Sequence, residues 1–86
     1  MIVSIPTPLR SYTSDEPRVE VRGATLGEVL ADLDRRFPGI RFRMVDEVDR
    51  VRRHIKLFVN DEVVEDLDRR LGSGDRVHIV CALSGG

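Results

Sequence analysis

The groups in this sequence with distinctive chemistry are few, and the most notable stand at its end, Ala82-Leu83-Ser84-Gly85-Gly86. An alternating apolar run from Val77 to Leu83 stops at a glycine pair. Inside a chain such a pair marks a turn, but here no strand follows it. Two residues without Cβ form a thin stalk, and its only distinctive group is the α-carboxylate of Gly86. That arrangement suits delivery of a carboxylate into another protein's narrow active site. Gly86 would then be the reacting residue, with Leu83, Ser84 and Gly85 threaded behind it. The plain alternative is a frayed chain end.

The remaining candidates read as structural. Cys81 is the obvious nucleophile, but it is in phase with Val77 and Ile79, as a small buried hydrophobe would be. Nothing near it in sequence would lower its pKa. His54 and His78 are far apart in sequence and lack a cysteine or carboxylate set at metal-ligand spacing, so no metal site is expected. Gly72-Ser73-Gly74 lacks the lysine and helix of a phosphate loop. No serine–histidine–acid set suggests a triad. The chain therefore reads as a non-enzyme that binds no cofactor of its own.

Composition narrows the rest. Eighty-six residues make one domain, burying roughly 60–65% of the surface its unfolded chain would expose. Hydrophobic residues at 41% and charged residues at 34% describe a soluble globular chain. Net charge is −1, with only four aromatic residues to stack on bases, so no nucleic-acid partner is expected. A single cysteine supplies neither an internal disulfide nor a zinc or iron–sulfur site. No apolar run approaches the ~18 residues of a membrane span. Met1-Ile2-Val3-Ser4 does not open as a signal peptide does. The expected location is cytoplasmic, with no membrane partner.

The elements that would hold the tail follow from periodicity. Met1 to Ile5 reads as a strand with Val3 and Ile5 on one face, and Pro6 and Pro8 weaken pairing after it. Leu9 returns to the core, and Ser11 to Pro17 reads as a hairpin loop. Arg18 to Arg22 alternates strictly, burying Val19 and Val21. Thr25-Leu26-Gly27-Glu28 is a capping-box pattern. It opens a helix whose apolar stripe is Leu26, Val29, Leu30, Leu33 and Phe37. Asp32, Asp34, Arg35 and Arg36 fall mostly off that stripe, and Pro38-Gly39 ends the helix. Residues 40–53 fit either a short broken helix, with Ile40, Met44, Val48 and Val51 as its stripe, or a solvated connection. The arginines at 50, 52 and 53 are balanced there by Asp46, Glu47 and Asp49, as on a solvated face.

Ile55 to Val59 alternates again, with Ile55, Leu57 and Val59 inward and Phe58 outward. Asn60-Asp61 suits a tight turn before a short Val63-Val64 strand. In the last strand Val77, Ile79 and Cys81 point inward, and His78 and Val80 outward. One helix packed across a mixed sheet of four to five strands is the economical arrangement. The first and last strands then lie parallel and central, because a helix and a strand intervene as a crossover. This is an α+β fold of the ubiquitin-like β-grasp type. It is expected to form a domain over residues 1–82 with a flexible diglycine tail at 83–86. Phe58, His78 and Val80, outward on neighbouring strands at the root of the tail, form a candidate partner-docking patch.

The motifs in order resemble a known family. They are Val3-Ser4-Ile5-Pro6-Thr7 with Leu9-Arg10, Thr25-Leu26-Gly27-Glu28-Val29-Leu30, Pro38-Gly39-Ile40, Val59-Asn60-Asp61-Glu62, and Gly74 to Val80 running on to Gly85-Gly86. The chain resembles the ubiquitin-like sulfur carriers of the ThiS and MoaD type, and within them the CysO-like carriers of cysteine biosynthesis. Two stretches depart from that pattern: the heavily charged 46–54 connection, and Ala82-Leu83-Ser84 in place of Ala-Val-Ala.

The resemblance implies an adenylating enzyme that uses ATP to activate the Gly86 carboxylate. A sulfur donor then converts it to a thiocarboxylate, and a sulfur-accepting synthase, a cysteine synthase as first choice, consumes the sulfur. Gly85 serves fit, since a side chain there would meet walls that approach the backbone closely. Threading costs roughly 1–2 kcal/mol of backbone entropy per ordered residue, which docking must offset. The chain is expected to be monomeric or part of a hetero-oligomer. A molybdopterin synthase small subunit, a carrier for a thiosugar, thiazole or tRNA base, and a modifier joined to lysine are the alternatives.

Overall fold

The computed structural model describes residues 1–82; the 83–86 tail lies outside the described residues. Apolar residues from one face of a sheet and from the helices packed on it share the core. The strands are β1 (Ile2–Ser4), β2 (Arg18–Glu20), β3 (Ile55–Val59), β4 (Glu62–Val63) and β5 (Val77–Cys81), and the helices are α1 (Leu26–Arg36) and the short α2 (Ile40–Met44). They form a five-stranded sheet in the order β2-β1-β5-β3-β4. β1 and β5 run parallel at its centre, Val3 opposite Val77 and Ser4 opposite His78, and the other pairs are antiparallel. The mixed sheet crossed by a helix is the ubiquitin-like β-grasp fold.

Alternation decides which face is covered. Val3, Leu57, Val59, Val77 and Ile79 turn toward the helices, where Leu26, Val29, Leu30 and Leu33 of α1 meet them, all buried. Phe37 is only partly buried against this core, and so is Val19, which lies on the edge strand β2. Val21, just beyond that strand, is fully buried.

The start of α1 is capped twice. Thr25 Oγ1 accepts from the Glu28 amide at 3.1 Å, and Glu28 Oε1 reaches back to the Ala24 amide at 2.9 Å, one residue before the cap. The next amides, of Leu26 and Gly27, donate to the Arg69 and Leu67 carbonyls at 3.0 and 2.8 Å, so the 67–69 segment supplies acceptors that the first helical turn lacks. At the other end Asp34 Oδ1 accepts from the amides of Gly39 and Arg41, both at 3.1 Å, which ties α1 to α2. Gly39 has φ 98°, a left-handed value that suits glycine.

Three expectations are corrected. The stretch after β1 is a 3-10 helix over Thr7–Thr13 rather than a plain hairpin loop, with Leu9 and Thr13 buried. Pro6 and Pro8 end strand pairing, and proline's fixed φ is compatible with the first helical positions. Asp32 is buried rather than off the packed face: it accepts from the Arg22 amide at 2.9 Å and pairs with Arg35 and Arg36. In the 40–53 connection Ile40 and Met44 are buried, but Val48 is exposed while Val45 is buried. Asp46 Oδ1 accepts from the Val48 and Arg50 amides at 3.0 and 2.9 Å, and the resulting turn carries Val48 outward.

Candidate functional site

The predicted working residues Leu83, Ser84, Gly85 and Gly86 lie outside the described residues, so the site is built from what carries them. β5 is flanked on both sides, by β1 and β3. Its ladder continues past the strand, with the Ala82 amide donating to the His54 carbonyl at 2.7 Å. Because β1 is parallel to β5 and β3 antiparallel, the end of β1 and the start of β3 both adjoin the end of β5. Pro6, Thr7, Pro8 and Arg10 on one side line a hollow with Ile79, Val80 and Cys81. His54 and the arginines before it stand on the other side. The base of the tail is thus fixed between two neighbours.

The start of β5 is fixed as firmly. Asp75 accepts from the Gly72 amide at 2.8 Å and from Asn60 Nδ2 at 3.0 Å, and Asn60 Oδ1 accepts from the Arg76 amide at 3.1 Å. These bonds, the Gly72 amide first, hold the Asp75 carboxyl below the usual carboxylate range. They bind the β3–β4 turn, where Asn60 has φ 56°, to the turn that feeds β5.

The face of the sheet away from the helices is the second part of the site. Register sets Arg18, Ser4, His78, Phe58 and Val63 in one row across all five strands. Phe58 and His78 are half-buried on this face, and Val80, two register pairs closer to the tail and opposite Lys56, is 42% exposed. The predicted trio is therefore together on one side of the sheet.

Two further apolar residues belong to that face and escaped the sequence reading as site residues: Ile2, 40% exposed, and Val63, 50% exposed. Their signal was phase, since each sits one residue before a buried valine, Val3 or Val64. Ile2, Ser4, Arg18, Arg76 and His78 line a shallow hollow of about 400 Å³.

Cys81 is half-buried opposite Ile55, and burial pushes its thiol pKa up, away from the thiolate. His54 is exposed just before β3, while His78 stands three register pairs short of the end of β5, opposite Phe58. No group of three His, Cys, Asp or Glu side chains among the described residues is placed to hold a metal. No described helix is long and apolar enough to cross a membrane.

Ala82 thus follows a central strand beside a partly apolar face, and comparison with known proteins decides the family. Residues 3–86 match the ThiS family. The chain belongs to the ThiS family of ubiquitin-like sulfur carriers. Among its ThiS relatives, the sulfur carrier protein CysO of Mycobacterium tuberculosis is 38% identical over 98% of this chain and 96% of its own. A CysO from Amycolatopsis orientalis, crystallised as a BexX/CysO complex, is 41% identical, with TM-score 0.91 over 99% of this chain and 98% of that one. SAMP1 from Haloferax volcanii is more distant, 26% identical with TM-score 0.79 over 100% of this chain and 98% of that one.

Proposed function

We infer that this ThiS-family chain is a sulfur carrier of the CysO type, acting as a co-substrate whose Gly86 carboxylate leaves as a thiocarboxylate and donates sulfur toward cysteine. The observation that carries this reading is the 38% identity to a sulfur carrier protein, CysO, across 98% of the chain. In the first step the Gly86 carboxylate attacks the α-phosphate of ATP on an adenylating partner, releasing pyrophosphate and leaving an acyl-adenylate. Adenylation is needed because a free carboxylate is a poor electrophile and oxide a poor leaving group. A sulfur donor then displaces AMP, and the thiocarboxylate that results is a polarisable nucleophile for the acceptor.

The body of the domain has two tasks in this scheme. β5, paired on both sides, gives the tail a firm base, so that ordering entropy is spent only on the last residues. The uncovered face, with Phe58, His78 and Val80 joined by Ile2 and Val63, offers apolar area for the partner to bury. The crystallised BexX/CysO complex of a relative supports a role carried out on partner proteins.

A protein modifier is the second reading, favoured by the likeness to SAMP1, whose name stands for small archaeal modifier protein 1. It is the weaker one, because the CysO proteins are markedly closer in sequence. Incubation with the adenylating enzyme, ATP and sulfide, followed by intact mass, separates the two. A carrier gains about 16 Da by exchange of oxygen for sulfur, whereas a modifier appears as conjugates of higher mass.

A further inference from the structure

The segment that leads into β3 carries features that the sheet face does not use. Phe42 on α2 is 57% exposed, yet it is held in place: the Arg52 guanidinium lies 4.5 Å above its ring centroid, and Arg52 Nε donates to the Phe42 carbonyl at 2.7 Å. The Arg52 amide donates to the Met44 carbonyl at 2.9 Å, fixing the same contact from the backbone. Phe42, Arg43, Arg52 and His54 line one hollow, and Arg53 with His54 borders a second beside it. The His54 carbonyl that bonds Ala82 places this edge directly at the base of the tail.

Charge on this edge is one-sided. Residues 41–54 hold five arginines against three acidic residues, in a chain whose net charge is −1. One of the acids, Asp49, is spent on Arg41 at 2.8 Å, and Asp46 is turned onto the Val48 and Arg50 amides. Arg43 and Arg53 are exposed and form no ion pair among the described residues. An ordered aromatic with arginine stacked on it, rimmed by guanidinium groups that have no ion pair among the described residues, has the composition of an interface centre rather than of ordinary solvated surface.

The geometry points to a second docking surface at the tail base, formed by Phe42, Arg43, Arg52, Arg53 and His54, for an acidic patch on the protein that receives the tail. It rests on the carrier reading only in taking the adenylating enzyme as that protein. A nucleic acid fits less well: one face of Phe42 is already covered by Arg52, so only the other face is open for a base to stack on. An acidic protein surface needs only the free guanidinium groups and the rim of the ring. Such an edge, separate from the row through Phe58 and His78, would orient the domain about β5 so that the tail enters in one direction.

The test is direct binding of the full chain to its adenylating enzyme without ATP, by calorimetry, with thiocarboxylate formation read separately by mass. The double variant Arg43→Glu/Arg53→Glu is expected to weaken binding about tenfold or more at low salt, with the loss shrinking as salt rises. Phe42→Ala should weaken binding at all salt concentrations. The pair Arg22→Glu/Arg70→Glu makes the same change in net charge on other exposed sites and should bind as the wild type does.

Unchanged binding by Arg43→Glu/Arg53→Glu, an equal loss in the Arg22/Arg70 control, or no binding by the wild type each overturns the docking surface. So does tight binding of a single-stranded oligonucleotide that Arg43→Glu/Arg53→Glu abolishes. Absence of the sulfur mass gain in a wild type that binds with the expected variant pattern overturns the carrier reading alone.

Discussion

Phe58 and His78 stand directly opposite one another across β3 and β5, on the face of the sheet that no helix among the described residues covers. Their neighbours in the chain, Leu57 with Val59 and Val77 with Ile79, are buried. A change at Phe58 therefore acts on the uncovered face and spares the core. Phe58→Asp is expected to weaken binding to the adenylating enzyme by about ten- to a hundredfold, the range of a well-placed aromatic anchor. Far-UV circular dichroism and a thermal melt should show the fold retained. A collapsed fold would instead make Phe58 a core residue.

Gly23 lies where the chain leaves the sheet for α1, packed against the helix backbone. A Cβ built there would stand 2.6 Å from the Val29 nitrogen and 2.8 Å from the Glu28 carbonyl carbon, distances at which something must shift. Backbone atoms inside a helix give way poorly. Gly23→Ala is expected to destabilise the domain by about 1–3 kcal/mol, read as a lower urea midpoint at constant m-value. Gly74, with nothing within 4 Å of the same position, should accept alanine with little change.

Asp32 gives the pH dependence a definite sign. The Arg35 side chain first, then the Arg22 amide and the Arg36 side chain hold its carboxyl well below the usual range. A folded-state pKa below the unfolded one contributes stability that is complete above the unfolded value, about 3.9, and is lost as pH falls through the folded value. Asp32→Asn should lower the melting temperature at neutral pH and flatten the loss of stability below about pH 4. Equal acid sensitivity in wild type and variant would remove Asp32 from the account.

Cys81 is half-buried with a raised thiol pKa, so it is poorly suited to carry sulfur itself. Cys81→Ser should leave thiocarboxylate formation essentially unchanged in a single-turnover assay. Near-total loss would make the thiol part of the chemistry.

Much of this was legible because periodicity is a local property. Ile55, Leu57 and Val59 alternate with Lys56 and Phe58, and the sheet reproduces that alternation residue by residue. The parallel pairing of β1 and β5 followed from the intervening crossover, which leaves few other topologies. What could not be read depends on partners distant in sequence. Asp32 looks like a solvated helix residue until the Arg22 amide arrives from beyond β2. Thr13 looks like loop until its hydroxyl is seen 2.9 Å from the Glu16 carbonyl, inside a turn that also buries Leu9.

The arginines of 50–53 read as balanced by nearby acids, because sequence counts charges without showing which acids are already bonded. The pairing of Asp49 with Arg41, eight residues away, breaks that balance. The tail expected from the sequence, residues 83–86, lies outside the described residues.

The central claim is that the Gly86 carboxylate is the reacting group, and fragment mass spectrometry of the chain after incubation with its adenylating enzyme, ATP and sulfide tests it most directly. The predicted result is a gain of about 16 Da confined to fragments containing Gly86, and absent from a chain ending at Ser84. A gain of about 16 Da confined to fragments that lack Gly86, with the Gly86 fragments unmodified, would contradict it.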